Sequence, residues 1–189
     1  MTEHTHHHDE DAACAVAHGP VAPATAAAGA AGGGAAGDRT LIAVFASPVA
    51  GYLLRYGADM GFRGLLLEPD EARAAGAAAL GFPLLTAIPD DLDDSTDVVV
   101  TDHHRPELGV MLRDALATKA RWVGIMGNPH HVGPHVAMLT ELGVPAGEIA
   151  RVHRPIGLNI GSRIPPEIAV STLAGLLADR NGRSGGFDF

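Results

Sequence analysis

LIAVFASPVAGYLLRYGADMGFRGLLLE, residues 41–68, decides the fold class of this 189-residue chain. Leu41-Ile42-Ala43-Val44-Phe45 is a short unbroken apolar run, the pattern of a strand covered on both faces. Ser47-Pro48 follows: a serine hydroxyl suits an N-cap, and the fixed φ of proline suits the first helical position. Val49, Leu53, Gly57 and Met60 then share one helical face, and Gly61 ends the helix. Gly64-Leu65-Leu66-Leu67-Glu68 reads as a second strand that stops on a carboxylate. Strand, helix and strand in so short a span make a βαβ unit, whose strands are parallel and whose crossover is right-handed in nearly every protein.

The same grammar continues towards the C-terminus. Leu84-Leu85 reads as a short extended piece before the acidic loop Asp90, Asp91, Asp93 and Asp94. Asp97-Val98-Val99-Val100-Thr101 is the third strong strand, followed by a helix from Pro106 through Leu116. Arg121-Trp122-Val123-Gly124-Ile125-Met126 is the fourth. Gly127-Asn128-Pro129 repeats the device at Ser47-Pro48, with Asn128 expected as cap and Pro129 as the start of a helix running to Leu142-Gly143. Ile168, Thr172, Leu173, Leu176 and Leu177 mark a last helix from Glu167, and Asn181-Gly182 stops it. This alternation predicts an α/β fold: an open, doubly wound parallel sheet with helices on both faces. Towards the N-terminus, residues 1–38 run from an acidic, His-rich start into an Ala/Gly tract with almost no large apolar side chains. Such a segment buries too little surface to offset its ordering entropy and is expected to be a disordered tail. The folded domain is expected over residues 39–183, with a short C-terminal tail over 184–189.

Composition narrows the function. Asp and Glu number 22 against 13 Lys and Arg, so no basic face offers itself to nucleic acid. No apolar run reaches the ~18 residues of a membrane span, and the acidic N-terminus has no apolar signal region, so a cytoplasmic location is expected. The single cysteine, Cys14, supports neither a disulfide framework nor a cysteine-rich metal site.

In open parallel sheets, ligands bind outside the carboxyl ends of the strands, where the strand order reverses. That edge should gather Ala46-Ser47-Pro48, Asp102-His103-His104-Arg105 and Gly127-Asn128-Pro129-His130. A Gly-x-Gly-x-x-Gly dinucleotide turn laid on the first of these reads Ala46-Ser47-Pro48-Val49-Ala50-Gly51. Only the third glycine is kept, and Pro48 puts a ring where a pyrophosphate needs close backbone approach. Glu68, by contrast, is well placed to accept from a ribose hydroxyl. His131 and His135 are four apart and would share a helical face, but no glutamate accompanies them and no third ligand is fixed by spacing. They read as solvated or loop-capping histidines, and no metal site or hydrolase triad is assigned.

The run from Pro155 to Ser171, PIGLNIGSRIPPEIAVS, combines glycines, prolines, an arginine and a carboxylate before a helix, and so specifies an unusual backbone path. It resembles the C-terminal signature of the xanthine dehydrogenase accessory protein family (XdhC/CoxI), roughly P-I-G-L-D-I-G-A-x-T-P-E-E-I-A-V-S. Asn159, Ser162, Ile164 and Pro166 are the departures. Trp122 to Gly127 is similar to that family's Y-V-G-L-L-G-S, and Thr101-Asp102-His103 to its T-H-D strand end. The resemblance implies a Rossmann-like C-terminal domain of an accessory protein, or chaperone, for maturation of molybdenum hydroxylases. It implies molybdenum cofactor of the molybdopterin dinucleotide type as ligand, with Arg163 a bidentate phosphate donor; NAD(P), which rests on the βαβ unit and Glu68, is the less favoured cofactor. Its implied partners are the hydroxylase apo-enzyme and a sulfurase, and it suggests a homodimer. On this reading the cofactor-binding residues are Ser47, Glu68, His103, Asn128, Gly157, Asn159, Gly161, Arg163 and Glu167, and none is catalytic. Two alternatives stand beside it: an NAD(P)-binding oxidoreductase, and a degenerate Rossmann module that only contacts other proteins.

Overall fold

The computed structural model describes residues 39–128 and 131–186. The elements are β1 (Thr40–Val44), α1 (Pro48–Asp59), β2 (Arg63–Leu67), α2 (Glu71–Ala77), β3 (Leu84–Leu85), β4 (Thr96–Val100), α3 (Leu108–Leu116), β5 (Trp122–Ile125), α4 (His135–Glu141), α5 (Ala146–Ile149), β6 (Val152–His153) and α6 (Pro165–Arg180). Every strand pairing is parallel, in the order β3-β2-β1-β4-β5-β6. The chain winds outward from β1 to β3, returns to β4 on the other side of β1, and winds outward again. The order therefore reverses between β1 and β4, the place where such sheets open a crevice.

The continuous apolar runs are explained by burial on both faces. All five residues of β1 and of β4 are buried, and alternate side chains go to opposite layers. Ile42, Val44, Val98 and Val100 pack with Leu108 and Leu112 of α3 and Leu139 of α4. Leu41, Ala43 and Val99 pack with Leu53 and Leu54 of α1 and with Ala169 and Leu173 of α6. Each such fully buried leucine contributes about 2 kcal/mol of transfer free energy.

The Ser47-Pro48 start of α1 is as expected: Ser47 Oγ accepts from Ala50 N at 3.0 Å and Pro48 is the first helical residue. Asp70 caps α2 in the same way, accepting from Ala72 N and Arg73 N. The second expected copy of the device is not made. Helix α4 begins at His135, with Asn128 seven residues upstream in a turn whose carbonyl accepts from His131 N. The physical reason lies in Gly133-Pro134: a residue preceding proline is pushed away from helical angles, so the helix starts only after Pro134. His131 consequently shares no helical face with His135. Helix α3 likewise begins at Leu108 and not at Pro106. The expected tail over residues 1–38, Pro129 and His130, and residues 187–189 of the C-terminal tail lie outside the described residues.

Arg154 holds the β5–α4 loop from below, donating from Nη1 to His131 O and from Nη2 to Asn128 O, both at 2.9 Å. His135, 8% exposed, sits beside it with Nδ1 lacking a partner among the described residues. Burial first, and the Arg154 charge second, pull the His135 pKa below its ordinary value. The unfolded chain therefore takes up this proton more readily than the folded one, so the contribution is present above about pH 6.5 and is lost as pH falls. The denaturation midpoint should fall between about pH 7 and pH 5, and His135→Gln should flatten that slope. An identical slope in wild type and variant contradicts the assignment.

Candidate functional site

The candidate site lies at the carboxyl edge of the sheet, across the β1/β4 reversal. β1 is followed by Phe45, a fully buried residue with a left-handed φ of 73°. Such a conformation costs a side-chain-bearing residue on the order of 1–2 kcal/mol. Two contacts hold it: Phe45 N donates to Leu67 O at 2.7 Å, and the Arg105 guanidinium stacks 4.6 Å from the ring centroid. The reversal aims Ala46 N at Glu68 Oε2, 2.9 Å away.

Glu68 is the hub of this edge. Its carboxylate has no exposure, and its two oxygens accept from four donors: Ala46 N, Asp70 N, Arg105 Nη1 at 3.1 Å and Arg105 Nη2 at 2.8 Å. Arg105 also donates to Glu107, from Nε at 3.2 Å and from Nη2 at 3.3 Å. Burial alone would weaken the hold of this guanidinium on its proton. The hydrogen bonds and charges of Glu68 and Glu107 outweigh burial and raise its pKa above the ordinary value. The carboxylate expected to accept from a ribose is thus turned inward, with its accepting positions taken by the chain itself. Arg105, in the loop before α3, takes two of them. The two are 37 positions apart, and no local pattern couples them.

A chain of hydroxyls closes the neighbouring gap. Ser47 Oγ, which accepts from Ala50 N, lies 3.0 Å from Thr101 Oγ1, and Thr101 donates to Phe45 O at 2.9 Å. Along the turn that would cradle a diphosphate, Ala46 N serves Glu68, Ala50 N serves Ser47 Oγ, Gly51 N serves Ser47 O, and Pro48 has no N–H. A diphosphate needs several converging N–H groups, and of the five that residues 46–51 carry three are already engaged.

Of the nine residues singled out from sequence, Ser47, Glu68, His103 and Asn128 follow the carboxyl ends of β1, β2, β4 and β5, Ser47 and Glu68 buried and the other two half-buried. The remaining five belong to the Pro155–Ser171 run. Gly157 (φ 85°) is turned onto α6, whereas Asn159, Gly161, Arg163 and Glu167 are exposed. Glu167 Oε2 accepts from Arg163 N at 3.2 Å, which fastens the entry to α6. Pro165 and Pro166 open that helix and remove two of its free N–H groups. A groove of about 240 Å³ lies further along, between the stacked rings of Trp122 and His153 (centroids 4.9 Å apart) and the Pro155–Leu158 strand of the loop. Of the nine, only Gly157 lines it.

Residues 41–176 match the family model of the XdhC Rossmann domain. The chain belongs to the XdhC family. It is 33% identical over 94 residues to the uncharacterised protein YqeB of Escherichia coli (strain K12), a match covering 50% of this chain and 17% of that one. The crystal structure of a xanthine dehydrogenase from Bacillus halodurans superposes with a TM-score of 0.58 at 19% identity, covering 76% of this chain and 45% of that chain. At that identity the likeness shows the fold. The chain spans less than half the length of both proteins.

The XdhC signature run owes its unusual composition to a close crossing. Leu158 N donates to Ser171 O at 3.1 Å and Ser171 Oγ donates to Leu158 O, so the loop is laced to α6. At this crossing a Cβ at position 175 would lie 2.8 Å from Gly157 Cα, and one at 157 would lie 2.6 Å from Ser171 Oγ. Two glycines therefore meet backbone to backbone, where no side chain fits. Gly175→Ala should cost about 1–3 kcal/mol in chemical denaturation, although alanine ordinarily favours a helix interior over glycine. A stabilised variant contradicts the crossing.

Proposed function

We propose that this XdhC Rossmann domain is an accessory module in the maturation of xanthine dehydrogenase-type molybdenum hydroxylases, and that it acts by contacting the apo-enzyme. The XdhC match over residues 41–176 supports the accessory role. The observation that carries the mode of action is the filled crevice. Molybdenum cofactor in its dinucleotide form does not fit the residues present there: Pro48 and three engaged N–H groups leave the first turn few donors, and Glu68 is sealed by Arg105. The same facts disfavour an NAD(P)-dependent oxidoreductase. What this domain presents outward is the signature loop. Ile160 and Ile164 are 53% and 48% exposed, beside exposed Asn159 and Arg163. Apolar side chains rimmed by polar ones suit a protein partner better than bulk water.

The full chain, co-expressed with a xanthine dehydrogenase-type apo-enzyme, should co-purify with it even in cells that make no molybdenum cofactor. Ile160→Asp combined with Ile164→Asp, both at exposed positions, should leave the melting temperature unchanged and weaken the complex at least about tenfold. Absence of any complex, or a complex that forms only when the cofactor is present, contradicts the proposal.

A further inference from the structure

An open parallel sheet accepts a dinucleotide by three devices: a glycine turn after β1, a helix N-terminus facing the diphosphate, and an acid at the end of β2 for the ribose. Each of the three positions is present in this domain, and each is altered or at least partly in use. At the turn, Pro48 stands where the second glycine would be. At the start of α1, Ser47 takes the N–H of Ala50 through its hydroxyl and that of Gly51 through its carbonyl. At the end of β2, Glu68 receives a bidentate guanidinium. That guanidinium is held as a bound ligand would be: over the Phe45 ring, 4.6 Å from its centroid, forked onto one carboxylate, and bonded on its free edge to a second, Glu107. Its side chain is 5% exposed. Planarity, stacking and a two-point hydrogen-bond fork are the features that distinguish arginine from lysine as an occupant.

We infer that the crevice outside β1, β2 and β4 is a guanidinium site filled in cis by Arg105, and that this domain takes no nucleotide-containing cofactor there. A dinucleotide could reach Glu68 only by expelling Arg105 and leaving a buried carboxylate uncompensated, among the costliest rearrangements a folded chain can make. Phe45 gives an independent reason. Its left-handed backbone is retained under the guanidinium stack, so displacing Arg105 also removes a contact that holds the turn. The inference concerns this chain's own side chains and stands whether or not the hydroxylase contact proposed above is found.

The test uses the full chain and its thermal midpoint. NAD, NADP and CDP, each added at about 1 mM, should leave the wild-type midpoint within about 1 °C, whereas a ligand at a hundred times its Kd would raise it by about 5–10 °C. Arg105→Ala should lower the midpoint by about 10 °C. Methylguanidinium chloride at about 20 mM should restore part of that loss, and an equal concentration of potassium chloride should not. Arg105→Lys, which keeps the charge but loses the fork, should fold, melt below wild type and gain nothing from methylguanidinium. A saturable rise of more than about 3 °C in wild type with any of the three nucleotides would overturn the inference. So would Arg105→Lys as stable as wild type, or equal effects of the two salts on Arg105→Ala.

Discussion

The ion pair between Glu68 and Arg105 is the constraint on which the carboxyl edge of the sheet depends. Taking both charges out of water is costly, and their attraction offsets that cost only where geometry is good and every remaining lone pair is satisfied. Both conditions hold here. The fork is bidentate, Ala46 N and Asp70 N fill the remaining positions on Glu68, and Glu107 takes the outer side of the guanidinium. The pair joins the end of β2, the turn after β1 and the loop after β4. Three segments distant in sequence are thereby fixed to one another at the point where a ligand would otherwise organise them.

A second clamp of the same chemistry fixes the opposite edge. Asp97, at the amino end of β4 and fully buried, accepts from Arg121 Nε at 2.8 Å and Arg180 Nε at 2.6 Å, and Arg121 reaches on to Asp179. Burial pushes the Asp97 carboxyl above its ordinary value, against the pull of both arginines. This clamp binds β4, the entry to β5 and the C-terminal turn of α6. Between the clamps lies an apolar sheet with α1 and α6 side by side on one face. The Gly157–Gly175 crossing brings the signature loop down onto α6. Gly157 of the signature run thus specifies packing, and the residues the run leaves outside include Ile160, Arg163 and Ile164.

Much of this was legible in the sequence, and the parts that were not share a physical cause. β1, β4 and β5 declare themselves because strands buried on both faces need unbroken apolar runs, and β2 through Leu65-Leu66-Leu67 ahead of Glu68. The Ser47-Pro48 cap is legible because capping is local, with donor and acceptor three residues apart. β6 is only two residues long and carries no period to detect. The helix placed after Asn128 was misassigned because Gly133-Pro134 has the stronger effect on the backbone. Glu68 stands at the end of β2, where its carboxylate holds Arg105. A strand-end acid that meets a ribose and one that meets a distant arginine look alike in one sequence, because the difference lies in a loop brought close only by the fold. Gly157 was read as facing a ligand for a similar reason: a glycine admits close approach without saying whether helix or phosphate approaches.

A double-mutant cycle on Glu68 and Arg105 tests the central claim most directly. Denaturation of wild type, Glu68→Gln, Arg105→Met and the double variant isolates the energy that the two side chains share. With the pair buried and bidentate, each single change leaves an unmatched group, and the double variant should recover much of the loss. The expected coupling is about 3 kcal/mol or more. A coupling below about 0.5 kcal/mol would mean that the two residues act independently, and would contradict a crevice held shut by its own arginine.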